Sequence, residues 1–199
     1  LSTLPLTTHQ GRIIVIEDSN QEQEALNELS RHSIVGFDTE TRPAFHKGRI
    51  NSVALIQIST GETPYLFRIN KFGLTPHMID FFENQSITKV GLSIKDDFFM
   101  LRKIADMHPQ SCVELQDMVK DFEITDSSLQ KIYGILFGER ISKGQRLSNW
   151  EAAQLTDAQC KYAAIDAWAC LRIYHTLSEG RFVPAMSPYR HPVETPDAE

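Results

Sequence analysis

Acidic residues at four positions, one of them offered by two neighbouring aspartates, are candidates to act together in one reaction. Asp38 and Glu40 close the apolar run Ile34-Val35-Gly36-Phe37. Two residues apart on a strand, they send both side chains to one face of a sheet. Two like charges held together need a proton or a cation between them, unless the pair is an ordinary solvated turn. Asp166 stands among Ala163, Ala164, Ile165, Ala167 and Trp168, four residues after Tyr162 and therefore on the same helical face. There it is either paired or metal-bound, or it lies on a solvent-facing stripe. Asp96 and Asp97 open the helix after Val90-Gly91-Leu92-Ser93-Ile94, where an aspartate also serves as a cap or complements the helix dipole. Brought to one sheet edge, where α/β sites form, such carboxylates are hard oxygen ligands for Mg2+ or Mn2+. With no histidine or cysteine in the set, they point to two-metal phosphoryl chemistry rather than zinc hydrolysis.

The elements that must position them follow from periodicity. Strands are expected over residues 12–16, 34–40, 52–58, 64–67, 88–93 and 112–115, and helices over 22–29, 76–83, 97–105, 129–137 and 157–177. Ser19 or Asn20 would cap the first helix and Thr156 the last. Strands that first meander and then mix with helices imply an α/β layered domain around a mixed sheet. One domain is expected over residues 1–183. Residues 184–199, with four prolines, read as a tail that does not pack.

Composition narrows the class. A length of 199 residues with 41% hydrophobic side chains suffices for one core. A net charge of -6 excludes a binder that grips nucleic acid through an overall basic balance, though not one with local basic patches. Cys112, Cys160 and Cys170 form no Cys-x-x-Cys pair, so a reducing, cytoplasmic setting is expected, or a nuclear one in a eukaryote. No apolar run reaches the roughly 20 residues of a membrane span, and the first residues lack a secretory pattern. The chain opens on Leu1 rather than Met, as expected of a fragment of a longer protein.

Three ordered motifs carry a family likeness: Phe37-Asp38-Thr39-Glu40, Gly91-Leu92-Ser93-Ile94-Lys95-Asp96-Asp97 and Tyr162-Ala163-Ala164-Ile165-Asp166-Ala167. Val53-Ala54-Leu55-Ile56-Gln57-Ile58 and Leu147-Ser148-Asn149-Trp150 flank them. The sequence resembles the DEDD-type 3'-5' exonucleases of the tyrosine (DEDDy) subgroup, such as the exonuclease domain of the Werner syndrome helicase and ribonuclease D. The resemblance implies an RNase H-like fold and hydrolysis of the 3'-terminal phosphodiester of DNA or RNA to nucleoside 5'-monophosphates. It implies that Asp38, Glu40 and Asp166 hold one divalent cation, with Asp38 bridging to a second that Asp97 reaches through water. Tyr162 would orient the attacking water. The histidine variant of the family places its base five residues before the last aspartate, a position filled here by Lys161.

Substrate contacts are expected from Thr39, from Arg42, Lys47 and Arg49 after the first motif, and from Arg140, Lys143 and Arg146 before Trp150, although such side chains also simply stay solvated. Phe98 and Phe99 are candidates to stack on bases, with at least one expected in the core. The competing reading is a nuclease-like module that binds nucleic acid with weak or no catalysis. Four intact carboxylates that repel phosphate argue against it.

Overall fold

Runs of β-branched and aromatic residues become strands, and segments with 3.6-residue apolar spacing become helices. In a computed structural model of the chain, residues 2–188 are described. The elements are β1 (Ile14–Ile16), α1 (Ser19–Leu29), β2 (Ile34–Thr41), β3 (Val53–Ser59), β4 (Pro64–Phe67), α2 (Ile69–Phe72) and α3 (Pro76–Glu83). They continue as β5 (Thr88–Gly91), α4 (Ile94–Arg102), β6 (Cys112–Glu114), α5 (Leu115–Met118), α6 (Leu129–Phe137) and α7 (Asp157–Ser178). The sheet order is β1-β4-β3-β2-β5-β6. β2, β3 and β4 form an antiparallel meander, while β1 on β4, β5 on β2 and β6 on β5 are parallel. This is the expected mixed sheet.

Caps explain where several helices begin. Asp18, rather than Ser19 or Asn20, caps α1 by accepting from the Gln21 N–H, which leaves Ser19 as the first helical residue. Thr156 caps α7 as expected, completed by Gln159 in a reciprocal capping box. The strand expected to run to Ser93 stops at Gly91, because Ser93 adopts a left-handed φ of 58° that turns the chain into α4. Of the expected tail, Pro184–Met186 makes a 3-10 turn and the Ser187 hydroxyl donates to Ile135 O at 2.9 Å. The remainder of that tail lies outside the described residues.

Strand β2 divides the molecule. Val35 and Phe37, both fully buried, point into the core under α1, α3 and α4, where Phe37 stacks on Phe98 at 5.0 Å. The alternate residues face α7. Gly36 is the point of closest approach: a Cβ there would lie 2.0 Å from Ala167 O of α7. Only glycine permits that contact, and the small residues Ala163, Ala164 and Ala167 keep the neighbouring helix surface fully buried.

Gly36→Ala therefore collides with backbone rather than with a movable side chain. The expected destabilisation is about 3 kcal/mol, at the top of the usual overpacking range. Thermal unfolding should show it as a fall of roughly 6–12 °C in Tm for a chain of this size. A change of under about 2 °C would refute the backbone contact as a determinant of helix position.

Candidate active site

The two-residue period of β2 carries Asp38 and Glu40 to the face on which Gly36 meets α7, and α7 supplies Asp166 one residue before Ala167. Carboxylate oxygens of Asp38, Glu40 and Asp166 lie within 4.8 Å of one another. Pairing of β2 with β3 places Gln57 directly opposite Asp38, and the Gln57 amide donates to Glu40 Oε1 at 3.4 Å. Gln57 is fully buried. It is the lone amide in an apolar strand, within the segment 53–58 that flanks the first motif.

Asp97 arrives from the opposite face. Thr39 alternates away from Asp38, and its hydroxyl donates to Asp97 Oδ1 at 2.6 Å, while its N–H donates to Asp38 Oδ1 at 2.8 Å. One residue thus ties two of the four carboxylates together. The turn that delivers Asp97 is fixed by Glu114, whose Oε1 accepts the N–H of Ser93 at 2.7 Å and that of Gln116 at 3.2 Å. Asp96, its neighbour, is exposed.

Tyr162 is buried one turn before Asp166, with Trp150 6.0 Å away between ring centroids. Arg68 is fully buried at the end of β4 and holds the segment that carries Trp150. Its guanidinium donates to Ala152 O, to Ala153 O at 3.1 Å and to Glu17 at 3.3 Å. No local pattern marks Arg68, since its partners are main-chain carbonyls 84 and 85 residues away and Glu17, 51 residues away.

A cleft of about 420 Å³ opens on this cluster, lined by Asp38, Asp166, Ser93, Cys170, Lys143 and Arg146 among others. Of the six cationic side chains expected near the substrate, Lys143 and Arg146 share this cleft with the carboxylates. Other expected contacts lie elsewhere. Arg42 pairs with Glu151 at 3.7 Å, and Arg140 donates to Leu4 O at 3.0 Å. Phe98 is a correction: its ring is 3% exposed, between Phe37 and Phe82, and offers no face to a base. Phe99 is exposed, with the Lys103 ammonium 4.9 Å from its ring centre.

Electrostatics mark the cluster as the strained part of the molecule. Burial pushes Asp38 up to about 7, opposed by the Thr39 N–H. Burial, then Asp38, Asp166 and Asp97, push Glu40 up to about 10, with the Gln57 amide opposing. Asp97 and Asp166 are raised well above the carboxylate range by burial first and by Asp38 next. Burial and then the carboxylates of Asp166, Glu40 and Asp38 raise the Tyr162 phenol too, against a lowering by Arg146. Asp97 Oδ2 and Asp166 Oδ1 are buried without a hydrogen-bond partner. Hard oxygen donors, converging, mutually repelling and partly unsatisfied, fit a divalent cation.

The profile of a family described as 3'-5' exonuclease matches residues 13–180. The mouse bifunctional 3'-5' exonuclease/ATP-dependent helicase WRN is 36% identical over 155 residues, covering 75% of this chain and 11% of that protein. Ribonuclease D of Haemophilus influenzae is 26% identical over 168 residues, covering 83% and 41% respectively. The chain thus spans less than half the length of either relative. The Aedes aegypti Nibbler EXO domain superposes with a TM-score of 0.77 at 21% identity, covering 90% of this chain and 96% of that one. The shared architecture is the RNase H-like fold.

Proton linkage gives the site a signature without substrate. Asp38 in the folded protein keeps its proton up to about pH 7, whereas in the unfolded chain it loses it near 4. Between those values the folded state binds more protons, so its contribution to stability is complete below about pH 4 and is lost as pH rises through 7. Glu40 extends the same trend to about 10. In a chelator, Tm should fall more steeply between pH 5 and 8 for the wild type than for Asp38→Asn, and Mn2+ should raise wild-type Tm more at pH 8 than at pH 5. Parallel profiles for the two proteins would contradict the assignment.

Proposed function

Since the chain belongs to the 3'-5' exonuclease family, we propose that it hydrolyses the 3'-terminal phosphodiester of a nucleic acid strand and releases nucleoside 5'-monophosphates. The observation that carries this reading is the convergence of the Asp38, Glu40 and Asp166 carboxylates at a cleft that also presents Lys143 and Arg146. Acids that repel phosphate, set beside bases that attract it, suit a site that must react with phosphate rather than merely hold it.

Asp38, Glu40 and Asp166, with Asp97 reaching through water and tied to Asp38 by Thr39, would hold two divalent cations, Mg2+ or Mn2+, whose chemistry when bound is to acidify a water and to neutralise the leaving 3' oxygen. The side chains provide the rest. Lys143 and Arg146 draw the terminal phosphate into the cleft and offset its charge. The oxygen of water bonds to phosphorus, the bond to the 3' oxygen of the preceding nucleotide breaks, and a proton passes to that oxygen. The products are a 5'-monophosphate and a strand one nucleotide shorter.

Burial, and then the neighbouring carboxylates, push the Tyr162 phenol above its ordinary value of about 10. It is therefore a hydrogen-bonding group that orients water and not a base. The short Thr39–Asp97 hydrogen bond and the Glu114-braced turn hold Asp97 in register with Asp38.

The test is incubation of a 3'-labelled strand with and without Mg2+ or Mn2+, with products resolved by length. Metal-dependent release of mononucleotides is expected. Retention of an uncut strand would favour the binding module, and longer fragments an endonuclease. Tyr162→Phe should lower kcat about a hundredfold, the size of a misoriented reactant, with a much smaller change in KM. Asp97→Asn should abolish turnover while Asp96→Asn keeps it, and the reverse pattern would move the fourth ligand to Asp96.

A further inference from the structure

Beyond Thr41 the chain leaves β2, runs through residues 42–51 and returns in β3. Nothing in the fold accounts for the composition of this loop. Phe45 is 79% exposed and Ile50 73%, side chains that would each contribute to stability if buried. Arg42, His46, Lys47 and Arg49 lie among them, and no acidic residue occurs between Glu40 and Glu62. Among the described residues, no acid pairs with Lys47 or Arg49, while Arg42 is bound to Glu151.

The loop is nevertheless built. Asn51 Nδ2 closes its neck by donating to Arg42 O at 2.9 Å and Pro43 O at 3.4 Å. The Arg49 N–H closes its tip by donating to His46 O at 3.2 Å, around Gly48 at a left-handed φ of 83°. An aromatic ring and two unpaired cations are thus held out from the protein on a braced turn. The turn is rooted in the strand that carries Asp38 and Glu40.

Its position gives it a role distinct from that of the cleft. Lys143 and Arg146 line the cleft with Asp38 and Asp166. The loop lines no part of that cleft and departs past Glu40. A strand with its terminal nucleotide in the cleft and its scissile phosphate at the carboxylates has further nucleotides that the cleft does not hold. We propose that residues 42–51 hold these nucleotides, with Phe45 stacked on a base and Lys47 and Arg49 on the adjoining phosphates. The inference rests on the nucleic acid reading of the preceding section and extends it to a second contact on the same strand. Aromatic ring plus cations is the combination that grips single strands with little regard to sequence. An acidic protein surface would satisfy the cations but not the exposed ring beside a phosphodiester site.

The test compares a dinucleotide with a single strand of twelve nucleotides. Phe45→Ala should lower kcat/KM for the twelve-mer about tenfold more than for the dinucleotide, within what base stacking supplies, and Phe45→Trp should restore it. Binding of the labelled twelve-mer in a chelator, followed by fluorescence anisotropy, reads the loop without cleavage. There, Lys47→Ala/Arg49→Ala should flatten the slope of log affinity against log salt by about 1.4, the value for two phosphate contacts on a single strand. Equal losses on both substrates, or unchanged binding and salt slope, would overturn the proposal. A wild type that binds the twelve-mer through Phe45 but releases no nucleotide would instead overturn the exonuclease reading and leave the loop standing.

Discussion

The approach of α7 to β2 at Gly36 is the contact on which the site depends. A helix normally packs on a sheet through intervening side chains, but here backbone nearly touches backbone, since a single methyl would overlap Ala167 O. That contact fixes height and rotation together. Asp166 then faces Asp38 and Glu40 because it lies one residue from Ala167, while they lie two and four residues from Gly36 on the same face of β2. The capping box at Thr156 sets where α7 begins and hence which residues reach the sheet.

Bringing carboxylates together in this way works against folding, and the surrounding structure compensates only in part. The Thr39 N–H and the Gln57 amide favour ionised Asp38 and Glu40, yet burial outweighs them. The second face of β2 has the opposite character, with Phe37, Phe82 and Phe98 in mutual ring contact and fully enclosed. A rigid apolar layer on one side of the strand holds a strained polar layer on the other. Phe98 belongs to that support, one residue after the carboxylate it helps to position.

The fold and the carboxylates were legible in the sequence for one reason: both obey short periods. The strand period placed Asp38 with Glu40, and the helix period placed Tyr162 with Asp166. Three dispersed acidic motifs in order then carried the family likeness. What stayed hidden depends on contacts between distant residues. Arg68 acts through carbonyls of Ala152 and Ala153, Glu114 through the N–H of Ser93, and Gln57 through strand register. Periodicity also could not decide between Phe98 and Phe99, because neighbours at a helix turn differ only in which packs inward.

The charge distribution acquires a physical meaning from this arrangement. Five acids and no base fall between residues 17 and 28, and of these Glu17 is occupied with Arg68 and Lys71. Of the cations in the two loops, Lys143 and Arg146 lie in the cleft with Asp38 and Asp166, while Lys47 and Arg49 stand on the loop that follows β2. The overall charge of -6 therefore limits unspecific attraction to polyanions, while the basic loops act only over a Debye length of about 8–10 Å. Within that radius the carboxylates oppose Lys143 and Arg146 until they are neutralised. Protons can neutralise the carboxylates, since burial raises the pKa of both Asp38 and Glu40. A divalent cation in place of two such protons would leave the net charge unchanged but would present a Lewis acid, rather than two neutral carboxyls, to a phosphate in the cleft.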